Sequence, residues 1–291
     1  MQERVIALGF FDGVHRGHGA LLRRAAEEAR RRGCTPAVFT FDRPPKEVIT
    51  GIPCPLINSP EDRSDLVKRL YGIDEMRTTP WDRFVTDILV GRYGAVHLVA
   101  GHDHHFGYKN QGSPELLREK CAELGLGCDI IPAVTLDGVT VSSTHIRKLL
   151  EEGDVETARA FLGHPHVLTQ AVGHGRRLGR TIGIPTANLV APPHVLLPRR
   201  GVYAAKVTLP DGRAFGGVTN VGIRPTVNHG QDVTVEPWIL DFDGDLYGQK
   251  LRVEFFRRLR EERKFDSLEA LRAQIQCDAL RTREAYPEMG L

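Results

Sequence analysis

No CxxC pair occurs in the chain, and its five cysteines (Cys34, Cys54, Cys121, Cys128, Cys277) are odd in number. That excludes a fully paired disulfide framework and a zinc knuckle. Reduced thiols and a cytoplasmic location are the expectation. Nowhere is there the uninterrupted apolar run of roughly 18 residues that a membrane span needs, and an apolar strand begins within the first few residues, so no targeting segment is expected. A dominant charge is missing too. Lys plus Arg (39) almost balances Asp plus Glu (37), so no global field holds a nucleic acid or an anionic membrane, and neither is expected as a partner. Arg23, Arg24, Arg30, Arg31 and Arg32 do form a pair and a triplet. The triplet closes a helical stretch, where cations complement the carbonyl end of the dipole, and reads as a solvated face. A Walker loop, GxxxxGK[ST], is also absent.

What remains is an ordinary globular composition, 41% hydrophobic and 26% charged over 291 residues, a length that suits two modules. In the first half, short apolar runs alternate with amphipathic helical stretches: VIALGF then HGALLRRAAEEARRRG, AVFTF then PEDRSDLVKRLYG, WDRFVTDILVGRYG before AVHLVAG, and SPELLREKCAELG before DIIPA. Such alternation predicts an α/β domain with a parallel sheet. After HIRKLLEEGDVETARAFLG (145–163) the pattern turns to closely spaced strands. GVYAAKVTLPDGRAFGGVTNVG predicts a hairpin about Pro210-Asp211-Gly212, TVEPWILDFDGDLYGQKLRVEFF a second hairpin, and SLEALRAQIQCDALRTREAY a closing helix. This half reads as a small antiparallel β-barrel with a C-terminal helix. The boundary is expected between Gly163 and Val167, giving domains 1–163 and 168–291.

The first candidate site is GFFDGVHRGH (9–18), at the end of the first strand. In parallel sheets ligands sit beyond the carboxyl ends of the strands. Gly9, Gly13 and Gly17 allow close backbone approach, and a helix starting near His15 offers its positive end to an anion. His15 and His18, at i and i+3, share one face and can donate to one phosphate chain. Further on, VSSTHIRKLL supplies Ser142, Ser143 and Thr144, which are capping types, and Arg147 in the following first turn, a second phosphate cradle. The cluster from His102 to His105 has good metal-ligand chemistry. Adjacent residues there point in alternating directions, so a nucleotide-contacting loop is the preferred reading.

The second candidate site is GHGRRLGRTIGIPTANL (173–189), with glycines at 173, 175, 179 and 183 ahead of Pro185-Thr186-Ala187-Asn188. Thr186 and Asn188 lie two residues apart on an extended segment and share a face. Both offer oxygen to a hard cation such as Mg²⁺.

Taken together, GFFDGVHRGH, GHDHHFG (101–107), SSTHIR, PTAN, NVGIRPT and LDFDGDLYG resemble the bacterial bifunctional riboflavin kinase and FMN adenylyltransferase family, or FAD synthetases, over nearly the whole chain. The resemblance implies a Rossmann-like nucleotidyltransferase domain followed by the kinase barrel, with ATP, riboflavin and FMN as substrates and Mg²⁺ as cofactor. On its motifs the first half adenylylates FMN with loss of pyrophosphate. His15 and His18 then lie on the ATP phosphates, Arg147 on the leaving pyrophosphate, and Gly9, Phe11, Asp12, Gly13, Gly17, Asp103, Ser142, Ser143 and Thr144 in nucleotide binding. The second half phosphorylates riboflavin. Thr186 and Asn188 hold Mg²⁺ and phosphates, Gly179, Gly183 and Arg224 fall in the binding motifs, and Glu236 in TVEPWILDF is the base that a hydroxyl nucleophile requires. Asp241, Asp243 and Asp245 compete for that role but sit in a turn-like DFDGD.

Three residues depart from the family pattern. Pro44, in TFDRPP, stands where a histidine is common, and Pro237 and Trp238 follow the glutamate in place of a small residue and a histidine. Pro237 predicts an edge or a bulge near Glu236, and Trp238 is expected either to cover the flavin ring or to pack in the barrel, with packing preferred. These departures motivate a second reading, a flavin-binding regulator with inactive sites. A third, an aminoacyl-tRNA synthetase suggested by HxGH, lacks a KMSKS-like loop and has no use for the barrel.

Overall fold

Buried apolar runs build the first unit of the computed structural model, which describes residues 2–41, 43–44, 47, 50–79, 93–103, 113–173, 183–192, 194–225 and 231–291. Strand β1 (Arg4–Leu8) is followed by α1 (Arg16–Arg32), β2 (Thr35–Phe41), α2 (Pro60–Tyr71), β3 (Glu75–Thr79), β4 (Ala95–Gly101), α3 (Pro114–Glu123) and β5 (Gly127–Ile131). The sheet order is β3-β2-β1-β4-β5, and every pairing is parallel. Val5, Ile6, Ala7 and Leu8 are all buried, as a strand covered on both faces requires. Val5, Ile6 and Leu8, so enclosed, each contribute ~1.5–3 kcal/mol. The order reverses at β1, which has β2 on one side and β4 on the other. Its carboxyl end and that of β4 therefore open onto the crevice where such sheets bind ligands.

α1 ends on Gly33, whose φ of 69° gives a left-handed cap. The arginines before it are not simply a solvated face. Glu28 is 1% exposed as a side chain and is paired with Arg31 at 2.5 Å and Arg32 at 2.6 Å. Hydrogen bonds from Arg31 hold its carboxyl down at about 2, against the opposing cost of burial. The triplet thus serves to neutralise a buried acid.

Two features of this unit escape the sequence pattern. β3 is a short charged edge strand, EMRTT, with no apolar alternation. β6 (Thr135–Leu136) and β7 (Val139–Thr140) form a small hairpin on Asp137 (φ 50°) and Gly138 (φ 78°), the Asp-Gly signal of a tight turn. The helix expected in WDRFVTDILVGRYG falls largely outside the described residues.

The second unit carries α4 (Ser143–Glu152), α5 (Val155–Leu162), β8 (His166–Ala171), β9 (Leu189–Val190), β10 (Gly201–Thr208), β11 (Ala214–Pro225), β12 (Gln231–Ile239), β13 (Lys250–Arg260), α6 (Leu268–Glu284) and α7 (Tyr286–Met289). Its sheet order is β8-β13-β10-β11-β12-β9. A bridge between Gly173 and Asn188 joins the chain just after β8 to the chain just before β9, so the sheet closes towards a barrel. The Pro210-Asp211-Gly212 hairpin forms as expected, with Arg213 N–H donating to Asp211 Oδ1 at 3.0 Å and β10 paired to β11. The second expected hairpin does not form. β13 pairs with β10 and β8 instead of β12, because barrel closure, not chain proximity, chooses its neighbours. Alternate residues of β13 (Leu251, Val253, Phe255) are fully buried, and α6 starts on a Ser267 cap.

By packing, the units divide as Met1–Leu56 with Arg63–Ser143, and Ile57–Asp62 with Thr144–Leu291. The break at 143/144 precedes the one expected near Gly163, since α5 packs on β8 and β13. The segment Ile57–Asp62 joins the barrel through specific bonds. His166 Nε2 meets Ile57 O at 3.0 Å, and Asp62 Oδ2 accepts from Ser59 Oγ at 3.1 Å and from Thr169 N–H at 3.3 Å.

Candidate functional site

The loop after β1 is held in an uncommon backbone. Phe11 (φ 57°), Gly13 (φ 84°) and Val14 (φ 43°) all lie in the left-handed region, which is unfavourable for a β-branched residue. Buried supports keep it there. Phe11 and Val14 are fully buried, while Phe10 O accepts from Thr40 Oγ1 at 3.1 Å and from Arg63 Nη1 at 2.8 Å. Asp12 O accepts from Ser143 Oγ at 3.0 Å, which ties the first residues of SSTHIR to the loop across 131 positions of sequence.

His15 caps α1 with its side chain: Nδ1 accepts from His18 N–H at 3.1 Å. An accepting Nδ1 carries no proton, so a neutral His15 ring bears its hydrogen on Nε2 and can donate only there. The two imidazoles stack, centroids 3.6 Å apart and 11° from parallel, and Phe11 meets His18 edge-on at 5.2 Å. Burial, then His15, then Arg63 hold the His18 pKa well below 6.5. The pair is therefore a neutral donor set and not two cations. Gly17 permits the stack, since a Cβ there would come within 3.1 Å of the His15 ring.

Asp12 is 2% exposed and Phe11 lies under Gly9, whose Cβ would meet its ring at 3.1 Å. Both side chains are buried. At the neighbouring strand end, His102 N–H donates to Ile131 O at 2.9 Å. A Cβ at Gly101 would come within 3.1 Å of the Asp103 carboxylate. His104 and His105 lie outside the described residues, and among the described residues no three His, Cys, Asp or Glu side chains gather as a metal set. Packing assigns Thr144 and Arg147 to the second unit, leaving Ser142 and Ser143 with the phosphate loop. Pro44 is buried.

Sequence reasoning missed Arg63. The residue is 3% exposed; its guanidinium lies 4.5 Å over the Phe10 ring and is pulled down in pKa by burial, with Asp12 opposing. Nothing in the helical pattern of PEDRSDLVKRL distinguishes it from a surface arginine.

The second site lies on the barrel. Glu236 stands in β12, where its Oε1 accepts from Thr234 Oγ1 at 3.2 Å. The β11–β12 ladder is continuous from Gln231 to Ile239, so Pro237 makes no bulge. Its carbonyl accepts from Ala187 N–H at 2.9 Å, and Thr186 bridges Trp238, which brings PTAN alongside the glutamate. Thr186 is exposed and Asn188 buried. Asn188 Oδ1 has no hydrogen-bond partner among the described residues.

Thr186 lines two cavities. One, of about 600 Å³, includes Pro185, Ala187, Phe242, Asp243, Asp245 and Tyr247. The other, of about 380 Å³, includes Glu236, Trp238, Asn220, Glu262 and Phe265. Trp238 also packs against the core cluster of Val202, Val218 and Phe256, so it is both packing and wall. Gly183 has φ 72°. Gly179 and the side chain of Arg224 lie outside the described residues.

Residues 1–145 match the family described as FAD synthetase, and residues 162–286 match riboflavin kinase. A bifunctional riboflavin kinase/FMN adenylyltransferase of Pseudomonas fluorescens is 37% identical, covering 96% of this chain and 92% of the relative. That of Escherichia coli (strain K12) is 36% identical, with 97% and 92% covered. A crystal structure described as a macrolide-efflux protein from Streptococcus pneumoniae superposes with a TM-score of 0.84 at 31% identity, over 97% of this chain and 94% of its own. Among the described residues no helix is long and apolar enough to cross a membrane.

Proposed function

The chain belongs to the bifunctional riboflavin kinase/FMN adenylyltransferase family and is an enzyme with both activities; from that premise we propose which residues perform each step. The kinase is assigned to residues 168–291. A single observation carries this assignment: Thr186 forms part of the wall of both barrel cavities, with Glu236 in the smaller one. The base must face the acceptor hydroxyl, so riboflavin takes the smaller cavity and ATP the larger. Glu236 accepts the proton of the ribityl 5′-hydroxyl as its oxygen bonds to the γ-phosphorus. The bond from that phosphorus to the β,γ-bridging oxygen breaks, and ADP leaves.

Thr186 and Asn188 would hold Mg²⁺, and the buried, unpartnered Asn188 Oδ1 suits an oxygen-seeking cation. When bound, the ion neutralises phosphate charge. Gly179, Gly183 and Arg224 are proposed around the nucleotide.

The adenylyl step is assigned to residues 1–163. An FMN phosphate oxygen attacks the α-phosphorus of ATP, the bond to the α,β-bridging oxygen breaks, and pyrophosphate departs. The chain's part is to position and stabilise charge. His15 and His18 donate to the phosphates, Gly9, Gly13 and Gly17 allow the backbone close, and Ser142, Ser143, Thr144 and Asp103 contact the nucleotide, with Arg147 on the pyrophosphate. Five unpaired thiols support a cytoplasmic location. Mixing the protein with riboflavin, ATP and Mg²⁺ tests the whole: chromatography should show FMN and then FAD, and the absence of both would refute the assignment.

A further inference from the structure

We propose that Asn220 and Glu262 form a hydroxyl-recognition couple that positions the polyol chain of the acceptor against Glu236. The inference rests on the reading of the smaller barrel cavity as the flavin site and adds to it two positioning residues that set specificity.

Asn220 lies directly opposite Glu236 in the antiparallel ladder. Directly opposed residues project from the same face, with Cβ atoms about 4.5–5.5 Å apart. Asn220 Nδ2 donates to Glu262 Oε1 at 3.1 Å, and all three side chains line the cavity. Gly222 makes the room: a Cβ there would come within 2.6 Å of Glu262 Oε1 and 2.9 Å of Asn220 Nδ2. The result is a carboxylate, an amide and a second carboxylate in sequence along one wall.

Such a row suits a chain of hydroxyls. Each hydroxyl can donate to a carboxylate, and the amide can accept and donate at once. It is unsuited to an anion. Of the cations on the same wall, Arg260 is ion-paired with Asp278 at 2.9 Å, while Arg263 bonds the neutral Gln274 and keeps its charge; one uncompensated cation against two carboxylates still disfavours a phosphorylated chain. The cavity therefore selects a neutral polyol on an apolar ring and weakens its hold on the phosphorylated product.

Riboflavin and lumiflavin, which share the ring but differ in the ribityl chain, separate this role from general packing. Flavin fluorescence titrations in the presence of Mg²⁺ and ADP are the measurement. Glu262→Gln and Asn220→Ser should each weaken riboflavin by about tenfold, the loss of roughly one hydrogen bond, while lumiflavin affinity stays as in the wild type. Retained lumiflavin binding also reports an intact fold. At saturating riboflavin kcat should fall as well, since the 5′-hydroxyl is no longer held. Equal weakening of both flavins, or of neither, would overturn the couple. Trp238→Ala serves as the control: if it leaves the affinity of both flavins unchanged, the cavity itself has been misread.

Discussion

The loop of residues 9–15 and strand β12 solve the same problem, presenting side chains to a nucleotide reaction, by opposite means. In the loop, Phe11, Gly13 and Val14 take left-handed φ values of 57°, 84° and 43°, which glycine adopts freely but which cost of order 1–3 kcal/mol at each of Phe11 and Val14. Buried Thr40 and Arg63 and the half-buried hydroxyl of Ser143 restrain it. In β12 no residue departs from the ladder, and Glu236 reaches its cavity by strand alternation alone. Chemistry placed by a strained loop depends on many remote supports. Chemistry placed by a ladder depends on register and on the one side chain itself.

Mutation tests that contrast directly. The largest effect is expected for Glu236→Gln. Loss of a general base should reduce FMN formation by ~10²–10⁴-fold, while FAD formation from supplied FMN stays at the wild-type rate. His18→Ala should do the converse, lowering FAD formation by ~10²–10³-fold and sparing FMN formation. A folded variant that lost both activities would show that the two sites are not independent. Below these in size stands Gly13→Ala. At φ 84° the new Cβ costs about 1–2 kcal/mol, which a thermal melt would register, and FAD formation should slow with it. The reverse exchange at Ala205, fully buried in β10, Ala205→Gly, should lower stability without touching FAD formation.

Much of the first unit was legible because parallel strands buried on both faces write continuous apolar runs, as in VIAL and AVFTF, and because the glycines and histidines after β1 are adjacent in sequence. The rest required contacts that the chain does not announce. EMRTT is an edge strand whose pairing comes from β2. The partner of β13 is chosen by barrel closure, so a hairpin reading of its link to β12 fails although both strands are present. The role of Glu28 behind Arg31 and Arg32 depends on its burial. Asn220 and Glu262 are 42 positions apart, and only the fold sets them in one cavity with Glu236. Asp137-Gly138 is different in kind: its turn signal was there to be read.

The smallest effect expected distinguishes the sites by pH. His18 is neutral in the free protein, its pKa held well below 6.5 by burial, His15 and Arg63. In the unfolded chain it titrates near ~6.5. The stability of the neutral pair is thus fully present above that value and is lost as pH falls below it, by at most ~1.4 kcal/mol per pH unit. Phosphate oxygens arriving at the imidazoles act the other way, favouring the charged form and raising the His18 pKa. ATP binding at the first site should therefore take up a fraction of a proton and tighten as pH falls from about 8 towards 6. No histidine lines either barrel cavity among the described residues, so the γ-phosphate's own titration is the background common to both sites. Calorimetry in two buffers of different ionisation enthalpy, with wild type and His18→Gln, isolates the difference. An uptake that persisted undiminished in His18→Gln would mean that the stacked imidazoles do not meet the phosphates, and the loop would have to present its backbone alone.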